Sequence, residues 1–326
     1  MRHELEAKRL GIAMSPRWII VGLLLVLASL ATLVRADDYL PRASNVIDNV
    51  YVIVGPLEER TYDNQALNAN QAFIVTAQGV ALIDPGASYL GAQALERAIR
   101  AVTDKPVRWV INTGSQDHRW LGNGYFKAKG AEIIALADTV KTQQAFAAQH
   151  IERLERVLKD RYAGTRPAYA AAPLPGAEAV LNLGGETVHL IRTDAHFPGD
   201  SMVWIPRLRT VFTGDLIYHD RLMGVHEWSN PVAGLAAYER MRTLSPGYMT
   251  VIPGHGEPGD LAKAERDSGA YYRFLVKVVG KAAADMEPLA DVIKANAHRA
   301  EFAHLKHFDS WHGVNMSRTY LMLEGK

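Results

Sequence analysis

The chain has 326 residues, of which 48% are hydrophobic and 22% are charged, and this composition excludes a disordered or fibrous protein. Lys and Arg number 36 against 35 Asp and Glu, so nucleic acid is not an expected partner. The chain contains no cysteine, which excludes disulfide scaffolds, iron–sulfur clusters and thiol nucleophiles. Any metal must therefore bind to histidine and carboxylate side chains.

An uncharged apolar run covers residues 18–34 and leads into a small-residue cleavage motif that ends at Ala36. This pattern predicts a signal peptide over residues 1–36 and a periplasmic mature protein over residues 37–326. If the run is not cleaved, it acts as a membrane anchor instead. Initiation at Met14 would give a conventional short basic leader.

Short β-branched runs alternate with helical patterns along the mature chain, which is typical of an α/β protein. A Pro- and Ala-rich stretch at 166–176 separates two predicted halves, at about 37–170 and 177–326. The predicted strands cover residues 50–54, 73–76, 80–84, 107–112, 133–135, 187–192, 202–205, 210–213 and 249–252.

The spacing of apolar residues predicts helices at 90–102 and 140–158, which should cover the sheets. The C-terminal third is predicted to be mostly helical, up to a strand-like segment at 319–323. His312 precedes that segment, which could bring its ring near the site.

Four loops that follow predicted strands carry His or Asp side chains. Asp215 lies in Phe-Thr-Gly-Asp and His255 in Pro-Gly-His-Gly, where the neighbouring glycines allow sharp turns. The other two loops are 112–123 (NTGSQDHRWLGN) and 194–200 (DAHFPGD). Imidazole and carboxylate groups gathered at one sheet edge predict a metal site.

These loops, in this order, resemble the metallo-β-lactamase superfamily over about residues 49–257. Residues 70–84 (NQAFIVTAQGVALID) are similar to its opening strands, and Asp84 to a structural Asp in a buried turn. His196, Asp215 and His255 match its later metal ligands. The resemblance implies an α/β fold, a four-layer αββα sandwich with the metal site at one sheet edge. It also implies zinc and hydrolysis of esters, thioesters, lactams or phosphodiesters.

The first loop departs from the family's Thr-His-x-His-x-Asp-His. Without gaps, Gly114 and Gln116 replace the first two histidines, while His118 and Arg119 occupy the Asp and last His positions. Shifting by one residue makes Asp117 and His118 the Asp-His pair instead. Glycine offers no donor and glutamine a weak one, so we expect one zinc ion rather than two. Replacing both by histidine should restore the second ion.

The residues divide into predicted ligands and predicted catalytic groups. Asp117 is either a further ligand or the general base that orients the water. Gln116 and Arg119 are candidates to stabilise an oxyanion, and Arg119 could also neutralise Asp117, hold a substrate carboxylate or merely pack. The predicted ligands are His118, His196, Asp215 and His255.

Two further features complete the predicted site. Tyr218 and His219 are candidates to protonate the leaving group, because they follow Asp215 closely in the sequence. The segment 55–70 is a candidate lid.

The loop TGSQDHRWLGN, the export signal and residues 311–321 (WHGVNMSRTYL) are similar to the SoxH-related branch called quinoprotein relay system zinc metallohydrolases. This resemblance implies a periplasmic hydrolase of an unknown small molecule, working beside a quinoprotein dehydrogenase. The alternative is an accessory or binding protein for such a dehydrogenase or its cofactor. An iron oxygenase of this fold is not expected, because it would need the first metal site.

Overall fold

The computed structural model describes residues 39–325, so the predicted signal peptide lies outside the described chain. Within this range, twelve strands form two six-stranded sheets, each in sequence order. The first sheet contains β1 (Ala43–Ile47), β2 (Val50–Ile53), β3 (Gln71–Val75), β4 (Val80–Ile83), β5 (Val107–Ile111) and β6 (Glu132–Ile134). The second contains β7 (Glu178–Leu183), β8 (Glu186–Arg192), β9 (Ser201–Ile205), β10 (Thr210–Phe212), β11 (Thr250–Ile252) and β12 (Gly259–Asp260).

Both sheets are mixed. The pairs β4/β5, β5/β6 and β10/β11 are parallel, and the other neighbouring pairs are antiparallel. Carboxyl ends of strands that run in the same direction lie at one edge of a sheet, so the loops after β4, β5, β10 and β11 can meet there. The loop after β8 joins them, because β8 runs in the same direction as β10.

Helices lie both between the strands and after the last strand. The helix α5 (residues 261–284) is one continuous run in which α-helical turns alternate with the π-helical segments Glu265–Gly269 and Phe274–Val279. No helix among residues 39–325 combines the length and the apolar character needed to cross a membrane. The other helices are α1 (Tyr89–Arg100), α2 (Asn123–Ala128), α3 (Ala137–Leu158), α4 (Pro231–Thr243), α6 (Leu289–Asn296) and α7 (Phe308–Leu323).

Apolar side chains from both sheets meet in a buried layer. Ile74 and Ile83 of the first sheet belong to the same buried cluster as Val203 and Phe212 of the second. The outer face of the first sheet packs on α1, and that of the second on α4, α5 and α7. Buried β-branched runs such as β4 (VALI) follow from this arrangement, because both faces of the strand are covered. The predicted α/β, four-layer αββα fold is confirmed.

The nine predicted strands and two predicted helices are confirmed, with end differences of at most three residues. The predicted strand at 319–323 is wrong, because these residues form the last turns of α7. Their composition favours a strand, but Met316 and Tyr320 lie four residues apart and both are buried in the core shared with α5.

His312 is consequently oriented by the helix. Its ring accepts or donates hydrogen bonds at the Tyr271 hydroxyl (3.0 Å) and the Asn296 carbonyl (2.9 Å). The expectation that a C-terminal strand brings it near the metal ligands is wrong.

Candidate metal centre

Two glycines allow the loops after β10 and β11 to come close. Gly214 and Gly256 both have positive φ, of 52° and 89°. A Cβ on Gly256 would lie 2.0 Å from the His219 carbonyl oxygen, and one on Gly214 would lie 2.7 Å from Thr113 Oγ1. Neither contact is sterically possible, so glycine is required at both positions.

The three residues Asp117, His118 and Arg119 form a single buried turn of 3₁₀-helix. With about three residues per turn, consecutive side chains in such a helix point roughly 120° apart. The three neighbours therefore project towards three different surroundings, which are described in turn below.

His118, Asp215 and His255 converge on one point. Their nearest candidate ligand atoms all lie within 4.8 Å of one another, and all three residues are buried. His118 Nε2 lies 3.1 Å from Asp215 Oδ2, and His255 Nε2 lies 3.3 Å from Asp215 Oδ1. Two imidazoles and a carboxylate form a donor set that suits zinc and leaves a position for water.

The hydrogen bonds of His255 favour a metal ion, and not a proton, between its Nε2 and the Asp215 carboxylate. Its Nδ1 lies 2.9 Å from the Asn68 carbonyl, which can only accept, so Nδ1 carries the hydrogen. Nε2 then presents a lone pair to Asp215 Oδ1. Burial holds the pKa of His255 well below its usual range, so the ring stays neutral and two acceptors face each other. A metal ion would turn this unfavourable contact into two coordinate bonds.

Asp117 lies behind His118 instead of in the cluster. Its carboxylate accepts hydrogen bonds from Arg60, Arg153 and the His118 backbone N–H, and these positive groups hold its pKa well below the usual range in spite of burial. It already accepts three hydrogen bonds and lies outside the three-residue cluster, so the predicted roles of metal ligand and general base are not supported by the geometry. Arg60 and Arg153, not Arg119, neutralise it.

The second ring nitrogen of His118 faces this ion pair. Arg60 Nη2 contacts Nδ1, and Asp117 Oδ1 lies 3.3 Å from the same atom. Arg60 can only donate, so in this arrangement Nδ1 accepts and the ring hydrogen lies on Nε2, towards Asp215. Binding of a metal ion at Nε2 would move the hydrogen to Nδ1, where Asp117 Oδ1 can accept it once Arg60 has shifted. Such carboxylate–imidazole pairs fix the orientation of metal-binding histidines.

Arg119 is enclosed between two carboxylates. Its Nε and Nη2 donate to both oxygens of Asp215, and its Nη1 donates to Asp84 at 2.9 Å. Arg119 is 1% exposed and is absent from the walls of the cleft described below, so it positions Asp215 and cannot contact an oxyanion as predicted. A carboxylate has about four lone-pair positions, and Arg119 uses two, which leaves one on each oxygen of Asp215.

Asp84 has the structural role predicted for it. Its carboxylate accepts hydrogen bonds from the Thr113 backbone N–H at 2.8 Å and the Thr113 hydroxyl at 2.6 Å, besides the Arg119 guanidinium. These bonds pin the start of the loop 112–123 to the end of β4.

Two uncharged side chains, those of Gln116 and His196, occupy the region where the family pattern places its first metal ion. His196 Nε2 lies 3.2 Å from Gln116 Oε1, and burial lowers the pKa of His196 to about 4, so the ring is an uncharged donor to the amide oxygen. His196 is outside the three-residue cluster. A Cβ on Gly114 would lie 2.7 Å from Asp200 Oδ1. The effect of Gly114→His with Gln116→His on the metal content stays a prediction, and the first substitution requires the Asp200 side chain to move.

A cleft of about 390 Å³ opens over the cluster. Gln116 and Tyr218 lie on its wall as predicted, whereas His219 turns away to the Glu257 carbonyl. The segment 55–70 contributes Glu59, Arg60 and Asn68. Sequence motifs did not single out Arg153, Arg221 and His226, because they come from separate segments. Asn315 and Arg318 also line the cleft, and they lie in the segment 311–321, to which the sequence analysis gave no role in the site.

A family model described as the metallo-beta-lactamase superfamily matches residues 65–255. This range contains every predicted ligand and ends at His255.

Solved structures of low sequence identity share the fold. A metallo-beta-lactamase from Pontibacter korlensis is 18% identical, with a TM-score of 0.54, over 69% of this chain and 95% of that protein. The DIM-1 metallo-beta-lactamase is 17% identical, with a TM-score of 0.53, over 70% and 95%. The sec-alkylsulfatase Pisa1 from Pseudomonas sp. is 14% identical, with a TM-score of 0.66. That match covers 86% of this chain, which spans about half the length of the sulfatase.

We predict that the purified protein, incubated with zinc and dialysed, holds one equivalent. His255→Gln and Asp215→Asn should each lose it, because either change leaves only two of the three converging donors. His196→Gln is the matched control and should retain zinc, because its ring is paired with Gln116. Metal content is measured by inductively coupled plasma spectrometry, with circular dichroism to show that each variant is folded. Two tightly held equivalents, or full retention in both cluster variants, would contradict this assignment.

We also predict that the metal-free protein loses stability as pH falls below about 6.5, the ordinary pKa of histidine. Burial lowers the pKa of His196 to about 4 and that of His226 to about 2, so the unfolded chain binds more protons than the folded chain in this window. Each group then reduces the free energy of unfolding by about 1.4 kcal/mol per pH unit, down to its folded pKa. Urea unfolding between pH 7 and pH 5 should show a shallower slope for His196→Gln than for the unmodified chain. An unchanged slope would contradict the prediction.

Proposed function

The chain belongs to the metallo-β-lactamase superfamily, and we propose that it is a metal-dependent hydrolase that works with a single zinc ion. The observation that carries the proposal is the convergence of His118, Asp215 and His255 at the base of the cleft. A bound zinc ion lowers the pKa of its water towards ~7 and so supplies hydroxide at neutral pH.

The side chains of the cleft have separate roles in this proposal. The Gln116 amide oxygen accepts from His196, which leaves the amide N–H groups free to donate to the oxygen of a substrate carbonyl. Burial raises the pKa of Tyr218 well above its usual range, so its hydroxyl stays protonated and can donate to a leaving group. The Tyr218 ring stacks on His255 at 4.7 Å, which places this donor next to the cluster.

The proposed reaction is the hydrolysis of an ester, thioester, lactam or similar bond in a small molecule. Water adds to the carbonyl carbon, the bond from that carbon to the leaving oxygen, sulfur or nitrogen breaks, and the leaving atom takes up a proton. The attacking water supplies this proton, and we propose that the Tyr218 hydroxyl, which stays protonated, donates a hydrogen bond to the leaving atom.

We further propose that the protein is exported to the periplasm and serves a quinoprotein dehydrogenase system, as a member of the SoxH-related branch. The support is in the sequence: the apolar run at 18–34, the variant loop TGSQDHRWLGN and the segment 311–321. An uncleaved run would place the same domain on a membrane instead.

A second candidate function, an accessory binding protein without turnover, is favoured by one contact. Arg119 donates to both oxygens of Asp215, so the carboxylate is already compensated before any ion arrives. A weakly held ion would leave a binding cleft with little hydrolytic power.

We predict that the zinc-loaded protein hydrolyses at least one compound in a panel of chromogenic esters, thioesters and lactams. Turnover should disappear in His255→Gln and on chelation. Gln116→Ala should keep zinc and lower kcat by about 10²-fold, the usual loss for one oxyanion donor. Steady-state rates and zinc content on the same samples provide the measurement. Stoichiometric zinc with no turnover of any compound would favour the accessory candidate over the hydrolase.

We predict that the mature protein begins at Asp37, because small residues precede that position after the apolar run. N-terminal sequencing of protein from the periplasmic fraction of an expressing bacterium checks this. Recovery of the intact residues 18–34 in the membrane fraction would favour an anchor instead.

A further inference from the structure

Four arginines line the cleft above the cluster. Arg60 comes from the segment 55–70, Arg153 from α3, Arg221 from the loop after β10, and Arg318 from α7. Glu59 is the one acidic residue on the same walls.

Two of these arginines are accounted for by structure. Arg60 and Arg153 share the buried carboxylate of Asp117, which needs both of them because it is removed from water. Their positive charges are therefore partly neutralised by that carboxylate.

The other two arginines are not paired with a buried carboxylate among residues 39–325. The hydrogen-bond partner of Arg318 within residues 39–325 is the Val225 carbonyl, and no carboxylate of that range forms an ion pair with it. Arg221 has only Glu59, at 3.5 Å, and the Glu59 side chain is 55% exposed to water. A distant, solvated carboxylate does little to offset the cost of burying a guanidinium.

The Arg221 side chain is also fixed by its surroundings and keeps N–H donors for a ligand. Its side chain is 2% exposed, and its guanidinium lies over the Trp311 ring at 4.8 Å and near the Tyr218 ring at 5.9 Å. The Nε hydrogen is buried and has no hydrogen-bond partner among the described residues. A fixed, stacked guanidinium with free N–H groups matches the planar, bidentate geometry of an oxyanion.

The guanidinium of Arg221 adjoins the cluster of His118, Asp215 and His255. Arg221 Nη1 lies 3.3 Å from His255 Nδ1, so an anion held by Arg221 would sit beside the ligand ring. Arg318 lines the same cavity and is exposed to it.

We propose that the substrate carries an oxyanion group, a carboxylate, sulfate or phosphate, close to the bond that is cleaved, and that Arg221 and Arg318 bind this group. The inference rests on the proposed hydrolase function and gives that function its substrate class. The requirement for a negative charge on the substrate follows from Arg221 and Arg318, which are not neutralised by a buried carboxylate among the described residues.

The first test measures anion binding without catalysis. Isothermal titration of the purified protein with inorganic sulfate, inorganic phosphate and acetate, at low ionic strength, should give saturable binding of at least one probe. Arg221→Gln and Arg318→Gln should each weaken it about tenfold or more, as expected for loss of a charge-assisted hydrogen bond. The matched control is Arg240→Gln, whose side chain pairs with Glu178 on the surface. The tightest probe identifies the oxyanion.

Equal affinity in all three variants and the unmodified protein, or no saturable binding at all, would overturn the proposal. Arg221 is buried, so its variant is checked by circular dichroism and thermal unfolding. Arg318 is exposed on α7, and its variant gives the same readout if Arg221→Gln does not fold.

The second test separates this inference from the proposed function. Matched esters that differ only in a carboxylate next to the ester are compared by kcat/KM. The unmodified protein should prefer the anionic ester by about tenfold or more, and Arg221→Gln and Arg318→Gln should reduce that preference. Equal hydrolysis of both esters would leave the hydrolase standing and overturn the anion site. Sulfate binding that depends on these arginines, without hydrolysis of either ester, would support the anion site and overturn the hydrolase.

Discussion

The buried guanidinium of Arg119 is the interaction on which the site depends. It donates to Asp84 at the end of β4 and to Asp215 after β10, and so ties the edge of one sheet to the edge of the other. It also reaches the carbonyls of Asn70 and Gly254, which precede and follow strands of different sheets. Removing one partner of such a buried pair typically costs about 3–5 kcal/mol, because a charge is left without compensation. The position of Asp215 is therefore set by the fold and does not depend on a metal ion.

This arrangement changes how a metal ion would be held. Asp215 keeps one lone-pair position on each oxygen, and the two imidazoles that face them come from different loops, after β5 and β11. The neighbouring region, where the family pattern places further histidines, is filled by the Gln116–His196 pair and by Asp200. Within residues 39–325, His118, Asp215 and His255 form the one cluster of converging donors.

The walls of the cleft have a different origin from its base. The family model ends at residue 255, but Trp311, Asn315 and Arg318 belong to α7, which lies beyond that limit. α7 packs on the second sheet's helical layer, and its exposed face turns Arg318 towards the cleft while Trp311 stacks on Arg221. The three-residue cluster thus belongs to the region that the family model matches, whereas part of the cleft wall comes from a helix outside it.

The sequence by itself determined the fold class, the positions of nine strands along the chain and the loops that carry the candidate ligands. The local signals are β-branched runs of the right length and glycines beside His and Asp. They can be recognised without knowledge of distant contacts. The same local reading failed at 319–323, where burial against α5 overrides the strand-like composition.

Only the tertiary structure decided what adjacent residues do. Asp117, His118 and Arg119 form one 3₁₀ turn, in which each side chain points about 120° from the next, so a one-residue shift in alignment exchanges a ligand for a structural ion pair. The arginine-lined cleft was equally hidden, because Arg60, Arg153, Arg221 and Arg318 are far apart in the chain. Local sequence patterns cannot report which distant charges meet, since that is fixed by the packing of sheets and helices.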